Sequence, residues 1–190
     1  MVKELRIYFE GDEGLKPGFD RFLTEIKEAA RNKQCEFIAV ATNGTPAKDY
    51  LSAIKAHRTA WNVLLLDSDE ALVRSSATLL RSKGLQGCDP DSIFWMVEIM
   101  ESWFFADIDA LERHYKAGFK TKAVRGNREV EKIPKADVLS KLENATRGTK
   151  GGKYRKNHAF KLLGLIDPAK VREVAPNCDR MFRLILARLG

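Results

Sequence analysis

The chain has 190 residues, enough to bury a core without disulfide or metal staples. Hydrophobic residues make up 44% and charged residues 31%, which excludes disorder as the main state. The net charge of +7 hides an asymmetry: residues 1–112 carry 13 Lys+Arg against 19 Asp+Glu, whereas residues 113–190 carry 20 against 7. An acidic part followed by a strongly basic part predicts a division of labour, the basic part suiting a polyanion such as nucleic acid.

Leu5-Arg6-Ile7-Tyr8-Phe9 alternates as a short strand and ends at the polar, glycine-rich Glu10-Gly11-Asp12-Glu13-Gly14. Phe19, Phe22, Leu23, Ile26 and Ala30 recur at helical spacing, which predicts a helix over 17–32 with Pro17 in its first turn. Residues 37–41 read as a second strand and 47–57 as a second helix. Trp61 to Leu66 is almost continuously apolar, as in a strand covered on both faces. A helix over 71–83 and a strand over 93–97 follow. This alternation predicts an α/β fold with a parallel sheet flanked by helices.

Beyond the fourth strand the pattern changes. Residues 101–115 read as a helix, and 116–134 as a long basic loop. Helices are expected over 136–145, 157–165, 168–174 and 176–189, separated by the glycine-rich basic stretch 147–156, RGTKGGKYRK. The expected organisation is an α/β core over 1–112 with a basic helical extension over 113–190 packed on it. No apolar run approaches the ~18 residues of a membrane span. The opening Met1-Val2-Lys3-Glu4 has no secretory pattern, so a cytoplasmic location without membrane contact is expected. Cys35, Cys88 and Cys178 are widely spaced and odd in number, which predicts reduced thiols.

Sites in open parallel sheets form outside the C-terminal ends of the strands. Glu10 follows the first strand, and Asp67 and Asp69 follow the third. Alternation along an extended turn would aim both aspartates to one side, and all-oxygen ligands of this kind suit Mg²⁺ or Mn²⁺. The competing role for Asp67-Ser68-Asp69 is capping the next helix. Glu101 reads either as an accessory acid of the site or as a carboxylate favoured by a helix N-terminus. Lys150, Lys153, Arg155, Lys156 and His158 are the candidate phosphate contacts, and Tyr154 among them could stack or hydrogen-bond. Neither a Walker pattern nor a nucleophile elbow is present, so ATP hydrolysis and Ser or Cys catalysis by this chain are not expected. His57, His114 and His158 show no metal-ligand spacing. The three tryptophans are expected in the core.

Glu10-Gly11 after one strand and Asp67-Ser68-Asp69 after another resemble the Toprim arrangement of topoisomerases, primases, small ribonucleases and overcoming-lysogenization-defect nucleases. More closely, the chain resembles a bacterial Toprim-like family classed as a domain of unknown function. The matching stretches are KPGFDRFL (16–23), LLLDSD (64–69), MESWFFAD (100–107), TKGGKYRKNH (149–158) and APNC (175–178). The resemblance implies Glu10 as acid/base or metal ligand, Asp67 and Asp69 as Mg²⁺ or Mn²⁺ ligands, and Glu101 as an accessory acid. It implies Lys153 and His158 near the phosphate. Asp12 and Glu13 are the nearest acids for a second metal. The implied function is a magnesium-dependent nuclease of an anti-phage defence system, acting on nucleic acid with a partner ATPase of the ABC/SMC type. The alternative is a non-catalytic Toprim-like module that binds nucleic acid or the ATPase.

Overall fold

The computed structural model describes residues 2–73, 75–126 and 129–190. Arg74, inside the helix expected over 71–83, and Asn127 and Arg128, inside the expected loop, lie outside the described residues. The strands β1 (Glu4–Phe9), β2 (Glu36–Ala41), β3 (Trp61–Asp67) and β4 (Ile93–Met96) form one parallel sheet in the order β2-β1-β3-β4. The helices before the fourth strand are α1 (Lys16–Phe22), α2 (Thr24–Asn32), α3 (Pro46–Ala56) and α4 (Ser76–Ser82). After it come α5 (Ile108–Tyr115), α6 (Lys135–Thr146), α7 (Ala159–Leu162), α8 (Pro168–Val174) and α9 (Pro176–Leu189).

Side-chain alternation divides the sheet between two cores. Leu5, Ile7, Phe9, Val63, Leu65, Phe94 and Met96 face α1, α2 and α9. Tyr8, Leu64, Leu66, Ile93 and Trp95 face α3 and α4. Both faces are covered, which is why β3 is apolar along nearly its whole length. The first core runs unbroken from Leu5 to Leu189, so residues on both sides of position 112 share it. Trp103 is fully buried and stacks on Phe22 with ring centroids 5.0 Å apart. Each such side chain contributes on the order of 2 kcal/mol through burial. No helix among the described residues is long and apolar enough to cross a membrane.

Five elements differ from the sequence expectation. The helix expected over 157–165 is the 3₁₀ turn Lys156–His158 followed by the short α7. The helix over 17–32 breaks at Leu23, where the Thr24 hydroxyl donates to the Arg21 carbonyl at 2.7 Å and competes with the helical ladder. The helix expected from residue 71 starts only at Ser76, because Ser75 caps it by accepting from the Thr78 N–H. Residues 101–115 are two elements. Met100–Ala106 is a 3₁₀ stretch, and α5 begins after Asp107, whose carboxylate accepts from the Ala110 N–H. The expected loop over 116–134 holds 3₁₀ turns at Thr121–Ala123 and Val130–Lys132, and it is anchored by the buried Val124, Val130 and Ile133. Three isolated anchors leave no periodicity to read.

Candidate functional site

The chain runs from β1 outward to β2, then returns past β1 to β3 and β4. The order therefore reverses between β1 and β3, and the crevice at their C-terminal ends is the natural ligand position. Glu10 leaves β1 at that point and Asp67 ends β3 there. The Glu10 N–H donates to the Leu65 carbonyl at 2.8 Å, and the Asp67 N–H donates to Glu10 Oε2 at 3.0 Å. The Glu10 carboxylate is thus folded onto the end of β3. Gly11 follows at φ +137°, and a Cβ there would collide with the Leu15 side chain, so this turn requires glycine.

Asp67 Oδ1 accepts from the Met100 N–H at 2.9 Å, which ties β3 to the 3₁₀ stretch and brings Glu101 alongside. Glu101 is only 7% exposed, and its Oε1 accepts from the Tyr154 hydroxyl at 3.1 Å. Glu10, Asp67 and Glu101 line one cavity of about 380 Å³, together with Asp12, Asn43, Lys156 and Phe160. Burial pushes the Asp67 carboxyl well above the usual carboxylate range, and the charges of Glu10 and Glu101 push it further. Burial and the neighbouring Glu101 also raise the Tyr154 hydroxyl, which stays a donor.

Asp69 does not join this group. It sits at φ +59°, its N–H donates to the Glu98 carbonyl, and the Ser68 hydroxyl bridges the Glu70 carbonyl and the Glu98 N–H. The chain has left the extended conformation, so the alternation expected to align Asp67 with Asp69 fails. The Asp69 carboxylate instead accepts from Lys135 at 2.6 Å and Lys83 at 2.7 Å. Partial burial would raise its carboxyl, but hydrogen bonds from these two lysines hold it below the usual range. Neither Ser68 nor Asp69 caps a helix. Asp12 caps the short 3₁₀ turn Glu13–Leu15 by accepting from the Gly14 N–H, while still lining the acidic cavity.

The basic candidates also divide. Lys156 lines the acidic cavity. Lys150 and His158 line a second cavity of about 630 Å³ with His114, Lys116, Asn157 and Lys161. Lys153 pairs with Glu143 at 2.7 Å, and Arg155 is exposed on neither wall. Tyr154 is buried and unavailable for stacking on a base. Its N–H donates to the Thr146 hydroxyl and its own hydroxyl to Glu101. Sequence reasoning misses His114, Lys116 and Lys161. These residues come from segments with no local motif, and only the fold gathers them.

The donor set of the acidic cavity is all oxygen, which suits magnesium or manganese rather than a thiolate-loving metal. Among the described residues, no three His, Cys, Asp or Glu side chains already converge as a ready-made metal shell. An ion there would take one or two carboxylates directly and keep water on its other positions, the ordinary habit of magnesium.

Comparison with known proteins agrees with this architecture. Among solved structures, the C-terminal region of the Burkholderia pseudomallei OLD protein is similar at a TM-score of 0.58 and 13% identity, over 100% of both chains. Likeness at that identity is one of fold, the parallel α/β sheet flanked by helices described above. No curated protein matches the chain. A family model described as a domain of unknown function, DUF4276, matches residues 12–185. Spanning nearly the whole sequence, that match makes the chain a member of the DUF4276 family.

Proposed function

We propose that the chain is a magnesium- or manganese-dependent nuclease that cleaves phosphodiester bonds. The observation that carries this reading is the gathering of Glu10, Asp67 and Glu101 around one cavity at the reversal point of the sheet. Burial first, and then the charges of Glu10 and Glu101, raise the Asp67 carboxyl, and a divalent cation offsets that penalty on its charge. The chemistry such an ion would supply is Lewis acidity toward a phosphoryl oxygen and easier deprotonation of the attacking water.

The chain's own residues do the rest. Glu10 and Asp67 would hold the ion, and their hydrogen bonds from main-chain N–H groups fix where they point. The Tyr154 hydroxyl orients Glu101, which lines the same cavity and would accept or return a proton. Lys156, which lines the same cavity, supplies positive charge for the phosphate. Exposed cations of the basic part hold the strand through its backbone with little sequence preference. The partner ATPase and the defence setting belong to this proposal through the family resemblance alone.

One observation favours the non-catalytic module instead. Asp69, the second acid of the Asp-x-Asp pair, is taken up by Lys83 and Lys135. One experiment separates the two readings. Single- and double-stranded DNA and RNA are incubated with Mg²⁺ or Mn²⁺, with and without a neighbouring ATPase, using wild type, Glu10→Gln and Asp67→Asn. A nuclease loses at least about a hundredfold in rate in either variant while still binding nucleic acid. Equal cleavage by wild type and both variants refutes the metal site. Salt-sensitive binding without cleavage by any of them establishes the module.

A further inference from the structure

The second cavity lies beside the acidic one, with the 3₁₀ turn Lys156–His158 between them. Lys156 faces the acidic cavity, whereas Asn157 and His158 face the other. No carboxylate lines the second cavity. Three lysines do: Lys116 just past α5, Lys150 in the glycine-rich stretch, and Lys161 in α7. All three are exposed, and none makes an ion pair among the described residues. Elsewhere Lys83, Lys135, Lys153 and Lys170 each pair with a carboxylate. Three unneutralised ammonium groups around one concavity repel each other, and an anion offsets that repulsion.

The walls are built rather than incidental. Gly118 has φ +88°, and a Cβ there would collide with the Gly148 carbonyl. This close backbone approach pins the glycine-rich stretch to the segment that follows α5. Thr149 is buried, and Gly151 lies against the Tyr115 ring. The Tyr115 hydroxyl is 2.9 Å from His158 Nδ1. Burial pushes that hydroxyl up to about 12, so it keeps its proton. With the hydroxyl donating to Nδ1, the neutral imidazole carries its proton on Nε2 and can donate a second bond. Burial lowers the pKa of His114 and His158, as do nearby charges, so the cavity's positive charge comes from the lysines.

We infer that this cavity binds a phosphomonoester: the doubly charged phosphate of a mononucleotide or of a nucleic acid strand end. Such a group carries close to two charges and three acceptor oxygens at neutral pH. Three lysines, an imidazole and the Asn157 amide match it better than they match the single charge of a passing diester. The cavity volume is that of a small-molecule site, large enough for the attached nucleoside. The strand-end form of the inference rests on the nuclease reading, and the binding itself does not.

The test is anisotropy with a short labelled oligonucleotide in EDTA, where a metal nuclease is silent. The strand carries a 5′-phosphate, a 3′-phosphate or hydroxyls at both ends, and a nucleoside monophosphate serves as competitor. The proteins are wild type, the double variant Lys150→Gln/Lys161→Gln, and Lys55→Gln on α3 as an outside control. Expected is binding of a phosphorylated strand or the monophosphate at least about tenfold tighter than of the matching hydroxyl form. The double variant loses that advantage and Lys55→Gln keeps it. Melting curves check that the double variant is folded, since both lysines are exposed and unpaired. A strand end that outcompetes the mononucleotide supports the inference with the strand as ligand, and the reverse supports it with the nucleotide as ligand. Equal binding of phosphorylated and hydroxyl forms, or an unchanged double variant, overturns it. Loss of cleavage in every condition with this binding intact would sink the nuclease reading and leave this site standing.

Discussion

Replacing Asp67 with Asn isolates the one carboxylate whose burial and neighbours penalise its charge. In the metal-free protein its carboxyl titrates above the usual range, through burial first and then through Glu10 and Glu101. The unfolded chain releases the same proton in the ordinary carboxylate range. Between those two values the native state holds the extra proton, so stability falls as pH rises. The limiting slope for one proton is about 1.4 kcal/mol per pH unit. For a chain of this size that is roughly 3–6 °C in Tm per pH unit. The variant keeps an oxygen for the Met100 N–H but carries no charge, so it lacks this slope. Burial also raises Glu131, which tilts both proteins alike and cancels in the difference.

The assay is thermal unfolding by circular dichroism in EDTA, from about pH 5 to about pH 8, on both proteins. The variant should gain on wild type through the window and level off once Asp67 has ionised. Adding Mg²⁺ should reverse the order. A ligand at a hundredfold excess over Kd stabilises by about 2.7 kcal/mol, and it does so more at higher pH because it displaces the proton. Parallel curves in EDTA would show that Asp67 holds no excess proton. Equal magnesium shifts in both proteins would place the ion elsewhere.

Asp107→Ala removes a carboxylate that is 2% exposed and accepts from the Ala110 N–H, the Asp167 N–H and Lys170. It should cost roughly 3–5 kcal/mol in urea unfolding. A loss below about 1 kcal/mol would mean water replaces all three bonds. Burial would raise that carboxyl, but Lys170 and the main-chain donors hold it low, so its contribution persists above the carboxylate range and fades as pH falls through it. Gly118→Ala should cost about 1–3 kcal/mol and weaken phosphate binding by freeing the Gly148 contact, and an unchanged melting curve would refute that. Asp69→Asn should keep cleavage and lose no more than about 1 kcal/mol, because its carboxylate is half exposed and turned to Lys83 and Lys135. A loss of cleavage equal to that of Asp67→Asn would return Asp69 to the metal site.

The parallel sheet is legible in the sequence because each strand is short, apolar and closed by a turn signal, with β3 buried on both sides. That places Glu10 and Asp67 at strand ends, and the reversal of strand order brings them into contact although they are far apart in the chain. What alternation cannot show is where the strand stops being a strand. Asp69 would share the face of Asp67 only if β3 continued, and the Ser68 hydroxyl turns the chain first. Glu101 is half legible. Its aromatic neighbours mark a buried segment, but a 3₁₀ stretch crossing the core presents no single face to read.

The stretch RGTKGGKYRK is the opposite case, where composition reads clearly and misleads about geometry. It looks like one basic patch with a stacking tyrosine. Tyr154, however, is drawn into the core by two bonds, one to Thr146 and one to Glu101. Its burial forces the chain through the protein between Lys153 and Arg155. Lys150 before it and Lys156 after it consequently face different cavities. The same hydroxyl that positions an acid of the candidate metal site therefore also anchors the stretch that carries Lys150 to the phosphate cavity. Tyr154→Phe should disturb both, slowing cleavage by loosening Glu101 and weakening phosphomonoester binding by loosening the stretch that carries Lys150. A variant that loses one and fully keeps the other would show that the two cavities are held independently.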